Sequence, residues 1–228
     1  MAIFQACRLQ VALEDQYMDA ELLAAFAALS SATIHEALGR KGELDPAIGP
    51  LWPGARICGP AYPVECKPGD NLMIHHALAD ASKGDVIVVD TGGAVKFGYW
   101  GMITTRAALS RGIAGLVIDG CVRDSEEIEA IGFPIFCRGR SIKGTTKTGF
   151  GRFGVALPMG GQVIAPGDLV VADRDGVVVV PADRMAQTLE DSQARDVKET
   201  KIVRQIEGGA TTAAVLGLEE TLRSARMK

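Results

Sequence analysis

Three short apolar runs constrain this chain more than anything else in it. Val86-Ile87-Val88-Val89-Asp90, Gly115-Leu116-Val117-Ile118-Asp119 and Pro134-Ile135-Phe136-Cys137 are rich in β-branched and aliphatic residues and show no polar alternation. Runs of that kind read as strands buried on both faces. Between them, Gly101 to Arg111 and Asp124 to Ile131 carry apolar residues at helical spacing. Strand, helix, strand, helix, strand predicts βαβ units with parallel pairing.

The flanks follow other rules. Residues 17–40 read as two short helices punctuated at Ser30-Ser31, and residues 55–66 as a strand kinked by its prolines. A helix is expected over Asn71 to Ala81, beginning at Asp70. Beyond the third apolar run, Phe153 to Leu157, Gln162 to Ile164, Leu169 to Ala172 and Val177 to Val180 read as short strands. Asp173-Arg174-Asp175-Gly176 is a hairpin signal between the last two. Residues 182–207 form a long charged helix, and a last helix is expected from Thr211. The expectation is therefore an α/β fold: a parallel layer packed on a more antiparallel one over residues 1–181. Residues 182–228 form a helical arm that packs on the same or a neighbouring subunit.

At 228 residues the chain suits one larger domain, and 47% hydrophobic with 23% charged residues is a globular balance. The net charge of −4 comes with no run of either sign, which argues against nucleic acid as a partner. No apolar stretch reaches the roughly 18 residues that span a bilayer, and no secretion signal opens the chain, so no membrane partner and a cytoplasmic location are expected. Five widely spaced cysteines, Cys7, Cys58, Cys66, Cys121 and Cys137, contain no CxxC pair and read as small core residues in a reducing compartment.

Chemistry is best sought where Leu116 to Asp119 gives way to Gly120-Cys121-Val122-Arg123-Asp124. Ligands of open α/β sheets gather at the carboxyl ends of strands, and a following helix offers free N–H groups to anions. Arg123 could grip a carboxylate, and Asp124 could bind a hard cation. Alternatively, Asp124 caps the next helix, with Glu127 completing a capping box worth about 1 kcal/mol. Spacing leaves both readings open. Phe97 to Thr104 could offer backbone amides to an oxyanion, but aromatic packing at a helix start is the simpler reading. His75 and His76 point in different directions on a helix, so partial burial without a ligand role is expected. Gly149-Phe150-Gly151-Arg152-Phe153-Gly154 fits a dinucleotide fingerprint by letter only, since no strand precedes it and no helix follows.

Four segments carry a resemblance: PGDNLMIHHALADASKGDVIVVD, GYWGMITTRAALSRGIAGLVIDGCVRD, GFPIFCRG and PGDLVVADRDGVVVVP. In this order they resemble the RraA-like family, from about Ala32 to Pro181. That family includes 4-hydroxy-4-methyl-2-oxoglutarate/4-carboxy-4-hydroxy-2-oxoadipate aldolases and regulators of ribonuclease E activity. The resemblance implies a β/β/α three-layer swivelling-domain fold, homotrimers or homohexamers, and active sites between subunits. It implies a Mg²⁺- or Mn²⁺-dependent aldolase or decarboxylase that releases pyruvate from a small 2-oxo acid. Arg123 then binds the carboxylate and keto oxygen, and Asp124 ligates the metal. Gly101 and the amides around Met102 and Ile103 hold the substrate carboxylate, and Glu199 comes as an acid from a neighbouring subunit. The other function within the family is non-catalytic regulation of ribonuclease E. One departure stands out: Met102 occupies a position where the aldolases carry an aspartate, and a thioether cannot replace a carboxylate for a hard cation. Glu36, Asp90 and Asp119 are the acids that could supply the missing charge. Lys96, Tyr99, Trp100, Arg106 and Lys143 are the side chains expected to read the rest of the substrate.

Overall fold

The computed structural model describes residues 20–225. Helices α1 (Ala20–Ala27) and α2 (Ser31–Ala37) precede a short β1 (Gly49–Pro50) and a long β2 (Ile57–Glu65). Then come α3 (Leu72–Asp80), β3 (Val86–Asp90), β4 (Gly98–Trp100), α4 (Met102–Arg111), β5 (Gly115–Val122), α5 (Ser125–Ala130) and β6 (Ile135–Arg140). The last part holds β7 (Leu157–Met159), β8 (Gln162–Ile164), β9 (Leu169–Asp173), β10 (Gly176–Val180), a 3₁₀ turn at Ala182–Arg184, α6 (Met185–Glu207), α7 (Thr212–Val215) and α8 (Glu219–Ala225).

The expected parallel unit is present. β2, β3, β5 and β6 run parallel, with β4 added beside β5. β9 and β10 form the antiparallel hairpin expected around Arg174-Asp175. The two halves meet in β2, whose residues 57–60 pair antiparallel with β9 while residues 61–65 pair parallel with β3. Proline cannot donate to a ladder, and Pro60 stands where β2 leaves one partner for the other.

Alternation along the strands sorts side chains into layers. Val86, Val88 and Val117 meet Val170, Ala172, Val177 and Val179 between the two halves of the sheet. Ile87, Val89, Leu116 and Ile118 point the other way, onto Ile74, Ala77 and Ala108 of the α3–α4 side. Leu169, Val171, Val178 and Val180 face Phe26, Ile34 and Met185 of α1, α2 and α6. Every strand of the apolar runs is thus covered twice, which is why those runs lack alternation. The core is the expected β/β/α stack, with α1, α2 and the start of α6 covering the outer face of the antiparallel layer.

Two boundaries depart from expectation. Phe153 makes only an isolated bridge to Val64, and the strand begins at Leu157, because Gly151 and Gly154 hold the chain against β2 through Glu65 and Pro63. The final helix is two short helices broken at Gly217, which has φ +68°. The first cysteine, Cys7, and the start of the first helix at 17–19 lie outside the described residues. Of the described thiols, Cys66, Cys121 and Cys137 are buried and Cys58 is half-buried; burial pushes Cys66 up to about 12 and Cys137 up to about 11, as expected for inert core residues. Among the described residues, no helix is long and apolar enough to cross a membrane.

Candidate active site

β5 delivers Arg123 and Asp124 to its carboxyl end. A register irregularity between Ile118 and Cys121 lets the strand pass close to β3 and β4; a side chain at Gly120 would meet Thr91 Oγ1 at 2.8 Å. The Arg123 amide donates to Trp100 O at 2.9 Å, which ties the turn to β4. Asp124 then adopts a left-handed backbone, φ 58° and ψ 36°, one of two non-glycine residues with positive φ among those described. That conformation costs on the order of 1 kcal/mol.

This geometry bears on the capping reading of Asp124. Its carboxylate makes no capping bond to α5. Instead Oδ2 accepts a hydrogen bond from the Met102 amide, at 2.9 Å, at the first residue of α4. Arg123 Nε lies 3.8 Å from the same oxygen. Two glycines make room. A Cβ at Gly101 would overlap Asp124 Oδ2 and come within 3.2 Å of Arg123 Nε, and one at Gly98 would overlap Ser141 O.

The start of α4 is also electrically suited to anions. The Thr104 hydroxyl accepts from the Gly101 amide at 3.0 Å and Asp124 takes the Met102 amide, while the next amides, of Ile103 and Thr104, have no acceptor within the helix. Helix N-termini carry partial positive charge, and Arg123 adds a full one. A cleft of about 160 Å³ opens here, and a shallower one of about 400 Å³ adjoins it past Arg140 and Ile142; Arg123 and Asp124 line both. Gly101, Met102 and Ile103 line the first, so the predicted residues of this chain, apart from Glu199, converge.

The first cleft also contains Asn71, His75 and Lys147. His76 turns away to stack on Phe153, with ring centroids 3.9 Å apart, while His75 faces the cleft. His75 is partly buried, as expected, and it lines the same cavity as Arg123. Burial, and then the charge of Lys147, hold its imidazole below the usual histidine value. The four-residue spacing of Asn71 and His75 on a predicted helix was the available signal, but nothing along the chain ties α3 to the end of β5. Lys147 sits on a loop fastened by Asp70, whose Oδ2 accepts from Thr146 Oγ1 at 2.6 Å and the Thr148 amide at 2.7 Å. Burial opposes ionisation of Asp70, but Thr146 and the amides of Leu72, Thr148 and Gly149 outweigh it and hold the carboxyl at about 2.

Other candidates lie elsewhere. Asp119 is paired with Arg138, Asp90 accepts from the Gly92 amide, and Glu36 faces Arg40 and Arg195, so none of these acids lines the cleft. Glu199 pairs with Arg195 at 2.8 Å on α6. Tyr99 and Trp100 border the cleft, yet their side chains are buried: Tyr99 Oη accepts from the Gly69 amide and Trp100 Nε1 donates to Thr105. Lys143 stacks over Phe97 at 4.5 Å, and Lys96 and Arg106 do not line the cleft. Among the described residues no three histidine, cysteine or acidic side chains gather as a metal site. Among the described residues, Asp124 is the single carboxylate lining the cleft. Magnesium-type ions accept one or two carboxylates and fill their shells with water and substrate oxygens, so this donor set fits only a weakly held ion.

The model of the RraA-like family, described as Aldolase/RraA, matches residues 31–179. The chain belongs to the RraA-like family. Within it, a Halalkalibacterium halodurans protein named "Putative 4-hydroxy-4-methyl-2-oxoglutarate aldolase" is 37% identical over 186 residues, covering 82% of this chain and 89% of that one. DlpA of Legionella pneumophila is 34% identical over 191 residues, which are 80% of this chain but 31% of DlpA. An uncharacterized protein from Pseudomonas syringae pv. tomato matches in structure with a TM-score of 0.80 at 32% identity, over 87% of this chain and 93% of that one. Streptomyces coelicolor RraAS2, described as an unusual member of the RNase ES inhibitor RraA family, matches with a TM-score of 0.72 at 30% identity, over 83% and 98%. The fold of this RraA-like chain is thus shared by relatives named for both functions.

Proposed function

We propose that the protein is a lyase that releases pyruvate from small 2-oxo acids at the Arg123–Asp124 cleft. The observation that carries this reading is Asp124 itself. It holds a strained backbone and spends its carboxylate on another helix instead of capping its own, beside an arginine that lines a cavity. Arg123 grips the substrate through its carboxylate and keto oxygen, with the Ile103 amide as a further donor. As the carbon–carbon bond breaks, negative charge grows on the keto oxygen, and Arg123 and the α4 terminus are already aimed at it. A divalent ion on Asp124, joined by Glu199 reaching over from a second copy, would add Lewis acidity at that oxygen. A second copy would also cover Ile103 and Ile142, which are 80% and 94% exposed at the mouth of the clefts. In this reading the arm 182–228 serves assembly into a trimer or hexamer in the cytoplasm.

The test is release of pyruvate from oxaloacetate and from 4-hydroxy-2-oxo acids, assayed with magnesium, manganese and chelator. Release that depends on metal and is lost in Arg123→Ala supports the proposal; no release with any metal overturns it. A second reading, non-catalytic regulation of ribonuclease E, is favoured by one observation: Met102 stands beside Asp124 where a second carboxylate would complete an ion site. Binding to ribonuclease E in a pull-down, together with no pyruvate release, would select it.

A further inference from the structure

Glu65, Asp90 and Asp119 stand in one row across three neighbouring strands. β2 and β3 pair Glu65 with Asp90, and β3 and β5 pair Asp90 with Asp119. Parallel partners in register share a face of the sheet, about 4.8 Å apart. By the two-residue period of a strand, that face is the one of Ala61, Val86, Val88 and Val117, away from α3, α4 and the Arg123 cleft. The row therefore lies outside the site described above.

The three acids have unequal partners. Glu65 pairs with Arg152, and Asp119 pairs with Arg138, which also holds Asp45 at 2.8 Å. Asp90, in the middle, makes no ion pair among the described residues; its Oδ1 accepts from the Gly92 amide at 2.8 Å. The Cys66 thiol lies close enough to feel its charge. Asp90 is half-buried. Burial first, and then the charges of Asp119 and Glu65, push its carboxyl above the usual value, against the Gly92 amide and Arg152. Asp90 is also the root of a segment that reaches the cleft. Thr91 Oγ1 donates to Asp119 O at 2.5 Å, Gly92 and Gly93 follow with φ of 67° and 69°, and the chain runs on through β4 to Gly101.

We propose that Asp90 is a proton-operated clamp at the ends of β2, β3 and β5. Ionised, it repels the carboxylates on both sides, and the strand ends rely on Arg138 and Arg152. With a proton taken from water, its hydroxyl can donate to the oxygen that Arg138 leaves open on Asp119 or that Arg152 leaves open on Glu65. That closes the row with a hydrogen bond to a charged acceptor. Stability held this way is complete below the unfolded carboxyl value of about pH 4 and is lost as pH rises through the folded value, which lies higher. Asp70 behaves in the opposite sense, since its folded value lies below the unfolded one. The clamp is independent of the reaction at Arg123.

The experiment is thermal melting of the full chain at pH 7.5 and at pH 4.5, in wild type, Asp90→Asn and Asp119→Asn. At pH 7.5 Asp90→Asn should melt about 2–4 °C higher than wild type. Its amide keeps the bond from Gly92, carries no charge and donates to a neighbouring acid. Asp119→Asn, in the same row, should melt lower, because it strands Arg138. At pH 4.5 the gain of Asp90→Asn should shrink, because wild type then carries the proton itself. Amide exchange over residues 91–97 should be slower in Asp90→Asn than in wild type at pH 7.5. Melting of Asp90→Asn at or below the wild-type temperature at pH 7.5 overturns the proposal. So does a gain undiminished at pH 4.5, which means that the amide packs better and no proton is involved. An equal gain in Asp119→Asn, the sign of general charge relief, or unchanged exchange over 91–97 overturns it as well.

Discussion

Asp124 and Asp173 pose the same local problem and solve it differently. Each ends a strand region and places its carboxylate on the first amide of a helix that is distant in sequence. Asp173 accepts from the Ser31 amide at 2.8 Å, from Ser31 Oγ at 2.6 Å and from the Asp175 amide at 3.0 Å. It is buried, and those bonds outweigh the cost of burial and hold its carboxyl below the usual range. Asp124 accepts from the Met102 amide alone, keeps 38% of its side chain exposed, and sits on a left-handed backbone beside Arg123. A saturated carboxylate docks α2 onto β9 and is spent on stability. The unsaturated one, on a left-handed backbone, has lone pairs left over, which the proposed function assigns to a metal ion.

The comparison can be broken most sharply at the cleft. Arg123→Ala and Asp124→Ala should each lower kcat/KM for pyruvate release on the order of 10³-fold while the melting temperature stays near wild type. If Asp124→Ala kept its activity and melted early, Asp124 would be a structural aspartate like Asp173. Asp173→Ala should do the reverse, costing about 3 kcal/mol in urea unfolding, since it strands the Ser31 hydroxyl and amide, with activity per folded molecule retained. Met102→Asp sharpens the contrast from the other side. A second carboxylate beside Asp124 should tighten magnesium binding about 10-fold in a metal titration, and weaker binding would mean that the two acids repel more than they chelate.

The smallest effect is in acid. The folded carboxyls of Asp70 and Asp173 titrate below their unfolded values, so the stability they add is present above about pH 4 and drains away as pH falls through the folded values, about 2 for Asp70. Thermal melts from pH 5 to pH 2 should show that loss, and it should be shallower in Asp173→Asn. An unchanged slope would mean that Asp173 is not saturated in solution.

The amino-acid sequence alone determined the parallel core, because strands covered on both faces must be apolar throughout and say so residue by residue. It also located the hairpin at Arg174-Asp175 and the Arg123–Asp124 pair at a strand end. It could not tell whether Asp124 caps the helix that follows it, since a cap and a site both need an acid at a helix start; the left-handed backbone and the bond to Met102 show that its carboxylate does not cap that helix. Nor could it bring Asn71, His75 and Lys147 to Arg123, or send Asp119 to Arg138 and away from the cleft. Those meetings depend on which strands lie side by side and which way each helix returns. A one-dimensional pattern encodes burial and period, while contact between distant segments exists only once the layers have packed.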